Sequence, residues 1–132
     1  MVGLYVDTSA LGRLIQREPD AAVIRRCMSN YDQLWSSELL VVELRRLASR
    51  SRLLDDAERL LASVELLPIS SEALLRASRV EPATVRTLDA IHLDAALTLR
   101  DEREIAAVLT FDRQLGSGCR HHGLAVEAPL AA

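Results

Sequence analysis

At 132 residues the chain is long enough to close a hydrophobic core without disulfides or a structural metal. A hydrophobic share of 49% and a charged share of 27% fit a globular protein and exclude a disordered one. The formal net charge of −3 carries no overall nucleic-acid footprint, so any contact with a polyanion has to be local.

Residues 2–6 alternate modestly, are β-prone and meet the N-cap cluster Asp7-Thr8-Ser9 at once, which reads as strand then helix. A short first helix is expected over Ala10–Arg17, broken near Glu18-Pro19. Asp20–Ser29 has the spacing of a second, with Ala22, Val23, Ile24 and Cys27 available for a buried face. Gln33–Trp35 is a short strand, and Ser36-Ser37-Glu38 leads a third helix carrying Leu39–Leu47. Ser51–Asp56 is the expected turn into a fourth helix, Ala57–Val64, followed by a short strand over Leu66–Ile69. The capping signal Ser70-Ser71-Glu72 opens a fifth helix to about Val80, and Pro82 interrupts the chain there. A long helix begins at Thr87 or Leu88 and runs to about Arg100. Beyond the turn Asp101–Glu104, Ile105–Thr110 is an apolar run of strand length that ends in Phe111-Asp112. Gly116-Ser117-Gly118 reads as a loop, and Leu124–Val126 as a last strand before the Ala-rich tail. Apolar runs separated by helices predict an α/β fold with a mostly parallel sheet, as one domain over residues 1–132.

The longest apolar stretches, such as Leu39–Val42 and Ile105–Leu109, are far too short to cross a bilayer, so no membrane association is expected. Met1–Asp7 has no basic leader and reaches an acid almost immediately, which is unlike a signal peptide. Cys27 and Cys119 stand far apart with no CxxC or histidine spacing, so a reducing cytoplasm is the expected location. All 16 cationic residues are arginine. Codon usage is the plain explanation, yet arginine also pairs phosphates bidentately.

Ligands of open α/β sheets gather outside the carboxyl ends of the strands. Asp7 ends the first strand and Asp112 lies just past the strand at 105–110. Glu43 and Asp89 sit inside apolar helical stretches, where an unpaired charge is costly to bury. Each acid has a plainer role open to it. Asp7 can cap a helix, Asp89 can favour a helix N-terminus, Glu43 can pair with Arg46, and Asp112 can be a turn acid. Gathered in one pocket, carboxylates repel unless a cation neutralises them. An oxygen-only donor set suits Mg²⁺ or Mn²⁺, and the chemistry then indicated is metal-assisted phosphodiester hydrolysis.

Four segments carry a family resemblance. Asp7-Thr8-Ser9-Ala10-Leu11 resembles the opening of PIN domains, and Ser37-Glu38-Leu39 through Glu43-Leu44 resembles their second acidic segment. Arg86-Thr87-Leu88-Asp89-Ala90-Ile91-His92-Leu93 looks like the third, and Leu109-Thr110-Phe111-Asp112 like the fourth. The resemblance implies a three-layer α/β/α sandwich and an acidic quartet of Asp7, Glu43, Asp89 and Asp112. Asp7 and Asp89 would be the core metal ligands, with Glu43 and Asp112 completing the site directly or through water. It further implies an Mg²⁺-dependent endoribonuclease, the VapC-type toxin of a toxin–antitoxin pair, with tRNA or ribosomal RNA as compatible substrates. Homodimerisation and inhibition by a VapB-like antitoxin come with it. The alternative is a PIN-like scaffold that binds RNA or protein without cutting.

Asp94 departs from the family's commoner pattern, which has a small residue there. It falls about 140° round the helix from Asp89, so a solvent-facing or arginine-paired role is expected. His92 is expected to pack as a neutral histidine within the domain, and His121 and His122 to lie on the surface. Arg13, Arg45, Arg46, Arg50, Arg86 and Arg113 neighbour the acids and are the candidates for phosphate contacts. Aromatics are too few for a base-stacking platform. The leucine-rich stretches 39–47 and 57–67 suit either a groove for an antitoxin helix or the core itself. A receiver domain would need a lysine, and a haloacid-dehalogenase-type phosphatase an acid where Ser9 stands. Neither fits.

Overall fold

The structure, a computed structural model, describes residues 2–129. The chain runs β1 (Gly3–Val6), α1 (Thr8–Ile15), α2 (Ala21–Ser29), β2 (Gln33–Ser37), α3 (Leu39–Ser51) and α4 (Leu54–Ala62). It continues as β3 (Val64–Leu67), α5 (Ser71–Ala77), α6 (Thr87–Asp101), β4 (Ile105–Leu109), α7 (Arg113–His121) and β5 (Ala125–Glu127). All strands are parallel, in the order β3-β2-β1-β4-β5.

The chain steps outward from β1 to β3, then returns across β1 to β4 and β5. Because parallel crossovers are right-handed, reversing direction moves the connecting helices to the other face. The packing follows that rule. Leu4 and Val6 of β1 join Leu11, Ile24, Leu40, Leu44 and Leu61 of α1–α4 in one core. Tyr5 turns the other way, to Leu93, Leu99, Leu115 and Cys119 of α6 and α7. Three layers result, as expected. The modest alternation expected over residues 2–6 is not found: β1 is buried on both faces, because helices cover both sides of a central parallel strand.

One irregularity re-aims β4. Gly3 pairs with Ile105 but Leu4 with Ala107, so one extra residue is inserted. Ile105 thereby packs with Val108 in the α6–α7 core, although Ala107 and Leu109 face the opposite layer. Gly3 is required at this point, since a Cβ there would stand 2.7 Å from the Glu104 carbonyl oxygen.

Several expected boundaries move. The turn at Ser51–Asp56 shrinks to Arg52-Leu53, with Arg52 in the left-handed region at φ 58°. The next strand starts at Val64 rather than Leu66, because Val64 already pairs with Leu34. Gly116-Ser117-Gly118 is not a loop but the middle of α7. A Cβ at Gly118 would meet Leu93 Cδ2 at 2.8 Å, so the glycine permits close approach of α7 to α6. Of the two uses open to the leucine-rich stretches, the core is the one observed: Leu40, Leu44, Ala57 and Leu61 are buried. Val42 of the first stretch is exposed, and the other exposed large apolar side chains include Leu74 and Leu75 on α5 and Leu88 on α6. Among the described residues no helix is long and apolar enough to cross a membrane. The Ala-rich end, 130–132, lies outside the described residues.

Candidate active site

The strands β1 and β4 are neighbours, and the strand order reverses between them. Asp7 leaves β1 and caps α1, its Oδ1 accepting from the Ala10 amide at 3.2 Å. Asp112 follows β4 and caps α7, accepting from the Leu115 amide at 3.0 Å. Helix capping is therefore real for both acids, but it does not exhaust their surroundings.

Two hydroxyls stitch the turns together. Thr110 donates to Asp7 Oδ2 at 2.6 Å and accepts from the Asp112 amide at 3.0 Å. Ser9 donates to Asp7 Oδ1 at 2.7 Å and accepts from the Phe111 amide at 2.9 Å. Asp7 is buried and, among the described residues, has no ion-pair partner. Burial pushes its carboxyl upward, against the hydrogen bonds from Thr110, Ser9 and Ala10 and the nearby His92. Asp89, in the first turn of α6, is pushed up to about 6 by partial burial and by Asp112 and Asp7, with His92 and Arg86 opposing. Three acids from three parts of the chain thus share one electrostatic neighbourhood.

Glu43 reaches the same end from the opposite helical layer. Its Oε1 accepts from Thr8 Oγ1 at 2.9 Å and faces His92 Nε2 at 2.6 Å. The Arg46 pairing does not form. Burial pushes the Glu43 carboxyl up, but the His92 hydrogen bond and charge, with Thr8, outweigh it and hold it low. His92 is buried, as a packed histidine should be, yet Nδ1 lies 2.6 Å from the Tyr5 hydroxyl, so both ring nitrogens are engaged. Asp94 stays apart. It is gripped by Arg76, Nε to Oδ1 at 3.0 Å and a second contact at 3.3 Å, which is the arginine-paired outcome.

Residue types alone did not single out Ser9, Thr110, Thr8 or Tyr5 for the site. A signal existed for Tyr5: a tyrosine in a strand buried on both faces needs a partner for its hydroxyl.

Among the arginines, Arg13 pairs with Asp20 at 2.8 Å and lies over the Phe111 ring at 4.3 Å, while Arg45 pairs with Glu58. Arg46, Arg50, Arg86 and Arg113 are exposed and have no ion-pair partner among the described residues. A groove of about 560 Å³, lined by Thr8, Ser9, Gly12, Arg13, Phe111 and Asp112, opens beside the acids.

The donor set suits a hard, hydrated cation. A carboxylate offers about four lone-pair positions, and three of those on Asp7 are taken, which leaves one. On Glu43 both contacts fall on Oε1, leaving Oε2. Among the described residues no three acids, histidines or cysteines stand close enough to enclose a bare ion. Mg²⁺ usually keeps several waters and takes only one or two carboxylates directly, so the residues fit such an ion.

A doubly wound parallel sheet with acids at its switch point defines the class: α/β proteins that work at the carboxyl edge. The PIN domain family matches residues 4–118. Ribonuclease VapC47 of Mycobacterium tuberculosis (strain CDC 1551 / Oshkosh) is 36% identical, covering 97% of this chain and 98% of that protein. Ribonuclease VapC46 of Mycobacterium tuberculosis (strain ATCC 25618 / H37Rv) is 33% identical, covering 98% and 99%. A chain from a toxin–antitoxin complex of Klebsiella pneumoniae superposes with a TM-score of 0.72 over 98% of this chain and 99% of its own, at 18% identity, and so speaks for the fold. The chain belongs to the PIN-domain family, among the VapC-type ribonucleases.

Proposed function

We propose that the chain is the toxin of a VapBC-type pair, a metal-dependent endoribonuclease that hydrolyses RNA phosphodiester bonds. The observation that carries this reading is the Thr110 hydroxyl joining Asp7 to the Asp112 turn at the β1–β4 switch point. Asp7 and Asp89 are read as the core ligands of Mg²⁺, with Mn²⁺ as a substitute, and Glu43 and Asp112 as completing the site directly or through water. When bound, the cation would neutralise developing phosphate charge and help ionise a water.

This chain's own residues do the rest. Ser9, Thr110 and the Ala10 amide hold the Asp7 carboxylate by both oxygens, so its remaining lone pair has a fixed direction. Asp112 keeps one oxygen on the α7 amide and has the other to offer. Exposed Arg86 and Arg113 flank Asp89 and Asp112 and are placed to meet phosphates. The Arg13–Phe111 groove leads RNA to the acids. Both tRNA and ribosomal RNA are compatible.

A VapB-like antitoxin, a homodimer, a cytoplasmic location and a single domain over 1–132 complete the proposal. The names of the relatives and the toxin–antitoxin neighbour support the antitoxin. Apolar surface is available for protein contact at Leu74, Leu75 and Leu88, beside a cavity of about 450 Å³ between α5 and α6. An arginine from a partner would meet the acids with complementary charge.

The test is RNA cleavage with Mg²⁺ or Mn²⁺ by wild type, Asp7→Asn and Asp89→Asn. Cleavage by wild type alone, abolished by EDTA, is expected. Full activity in either variant or in excess EDTA defeats the mechanism. RNA binding without cleavage would favour the non-cutting scaffold. A monomer by light scattering that ignores the neighbouring gene's product would count against the partners.

A further inference from the structure

The chain Ser37–Tyr5–His92–Glu43 crosses the molecule, linking the sheet to both helical layers. Tyr5 is fully buried on β1, His92 is 3% exposed on α6, and Glu43 comes from α3 on the other face. The Ser37 amide donates to the Tyr5 oxygen at 3.1 Å, and the Tyr5 hydroxyl shares a hydrogen bond with His92 Nδ1 at 2.6 Å. Glu43 fixes the direction at the other nitrogen: an ionised carboxylate can only accept, so the ring carries a hydrogen on Nε2 and donates it to Oε1 at 2.6 Å.

We infer that His92, oriented by Tyr5, is a positioning residue that ties down Glu43 Oε1 so that Oε2 is held free for the divalent cation or its hydration shell. This rests on the functional reading above and deepens it. Two donors, His92 and Thr8, converge on the same oxygen and none of the described hydrogen bonds reaches the other. A carboxylate needed only for packing would be satisfied as well by spreading its partners over both oxygens. Outer-shell partners that orient ligands in this way affect affinity because the ligand need not be ordered when the ion binds.

The discriminating pair is His92→Gln and His92→Asn. A glutamine amide nitrogen reaches the place of Nε2 and donates to Glu43, whereas the shorter asparagine amide ends near Nδ1 and misses it. Wild type should show the His92 hydrogen on Nε2 in its ¹⁵N spectrum. Calorimetric titration with Mn²⁺ should find binding weakened about 10-fold or more in His92→Asn and restored to within about threefold in His92→Gln. The two variants should melt at similar temperatures without metal, and kcat for RNA should fall in His92→Asn while KM holds. Equal Mn²⁺ affinity in the two variants, or the hydrogen found on Nδ1 alone, overturns the inference. Should either variant fail to fold, Tyr5→Phe keeps the ring in the core and removes its hydroxyl. Weaker Mn²⁺ binding is then expected, and unchanged binding overturns the role. Wild type that binds Mn²⁺ beside indifferent variants sinks only the positioning role; wild type that binds no divalent cation sinks the functional reading and this role with it.

Discussion

Asp7 and Asp94 are buried to nearly the same degree, 4% and 7% exposed, yet the protein meets their charge in opposite ways. At the α5–α6 seam the half-exposed Arg76 lays its guanidinium across both oxygens of Asp94. At the β1–β4 edge Asp7 receives only neutral donors, two hydroxyls and an amide, and its charged neighbours include another acid, Asp89. A carboxylate kept for structure is neutralised by a permanent cation. One left with neutral donors beside other carboxylates suits a removable cation instead. The contrast assigns two buried aspartates to different kinds of work.

The largest test of the contrast pairs Asp7→Asn with Asp94→Asn. Asp7→Asn should lower RNA cleavage on the order of 10²–10³-fold, the scale of losing one preorganised electrostatic group. Asp94→Asn should leave cleavage unaffected at a temperature where both are folded. Equal losses, measured as single-turnover rates, would erase the distinction.

Next comes stability. Arg76→Met leaves Asp94 buried without its cation and should cost about 2–3 kcal/mol in urea unfolding, below the range for fully buried pairs because Arg76 is half exposed. Activity of the remaining folded protein should be intact. A loss of cleavage beyond the unfolded fraction would bring Asp94 back into the site.

How much of this was readable beforehand depended on distance along the chain. Ile105–Leu109 declared itself because a buried parallel strand is a continuous apolar run, and residues 2–6 because β-prone residues meet a helix-capping acid at once. Asp7 and Asp112 were readable as the acids at the ends of these strands. Gly116–Gly118 misled because glycine's local preference is for turns, while the demand for it comes from Leu93 on another helix. Asp94 could be set apart by its turn of about 140° round the helix from Asp89, but its partner could not be named, since Arg76 lies 18 residues away. Nor could the Tyr5–His92–Glu43 chain be read, because its links span 87 and 49 residues and exist only once three elements meet.

A smaller effect concerns Asp89 in metal-free protein. Burial and the neighbouring acids push its folded carboxyl up to about 6 from an ordinary 3.8, so the folded state binds more protons than the unfolded one. Stability from this group is therefore present at low pH and falls as pH rises from 3.8 through about 6. Asp89→Asn should flatten that decline and raise the melting temperature of EDTA-treated protein at neutral pH. Mg²⁺ should then raise the melting temperature of wild type more than that of the variant. A variant that melts lower without metal would mean that the Asp89 charge is favourable as it stands.

The smallest expected effect carries the comparison over to the cations. Arg76 is committed to a carboxylate, whereas Arg86, at the N-cap of α6 and within electrostatic reach of Asp89, is exposed and has no ion-pair partner among the described residues. A fixed arginine that only moderated Asp89 would add nothing to RNA binding. One that contacts phosphate displaces a counterion and leaves a salt signature. Arg86→Gln should therefore weaken binding of a non-cleaved RNA a few-fold and lower the slope of log K against log salt by about 1. Arg45, already paired with Glu58 on the surface, is the control whose replacement by glutamine should change the slope less. Fluorescence anisotropy across a salt series reads both. Identical slopes for wild type and Arg86→Gln would confine Arg86 to the protein's own electrostatics and move the phosphate contacts to other arginines, such as Arg13 or Arg113.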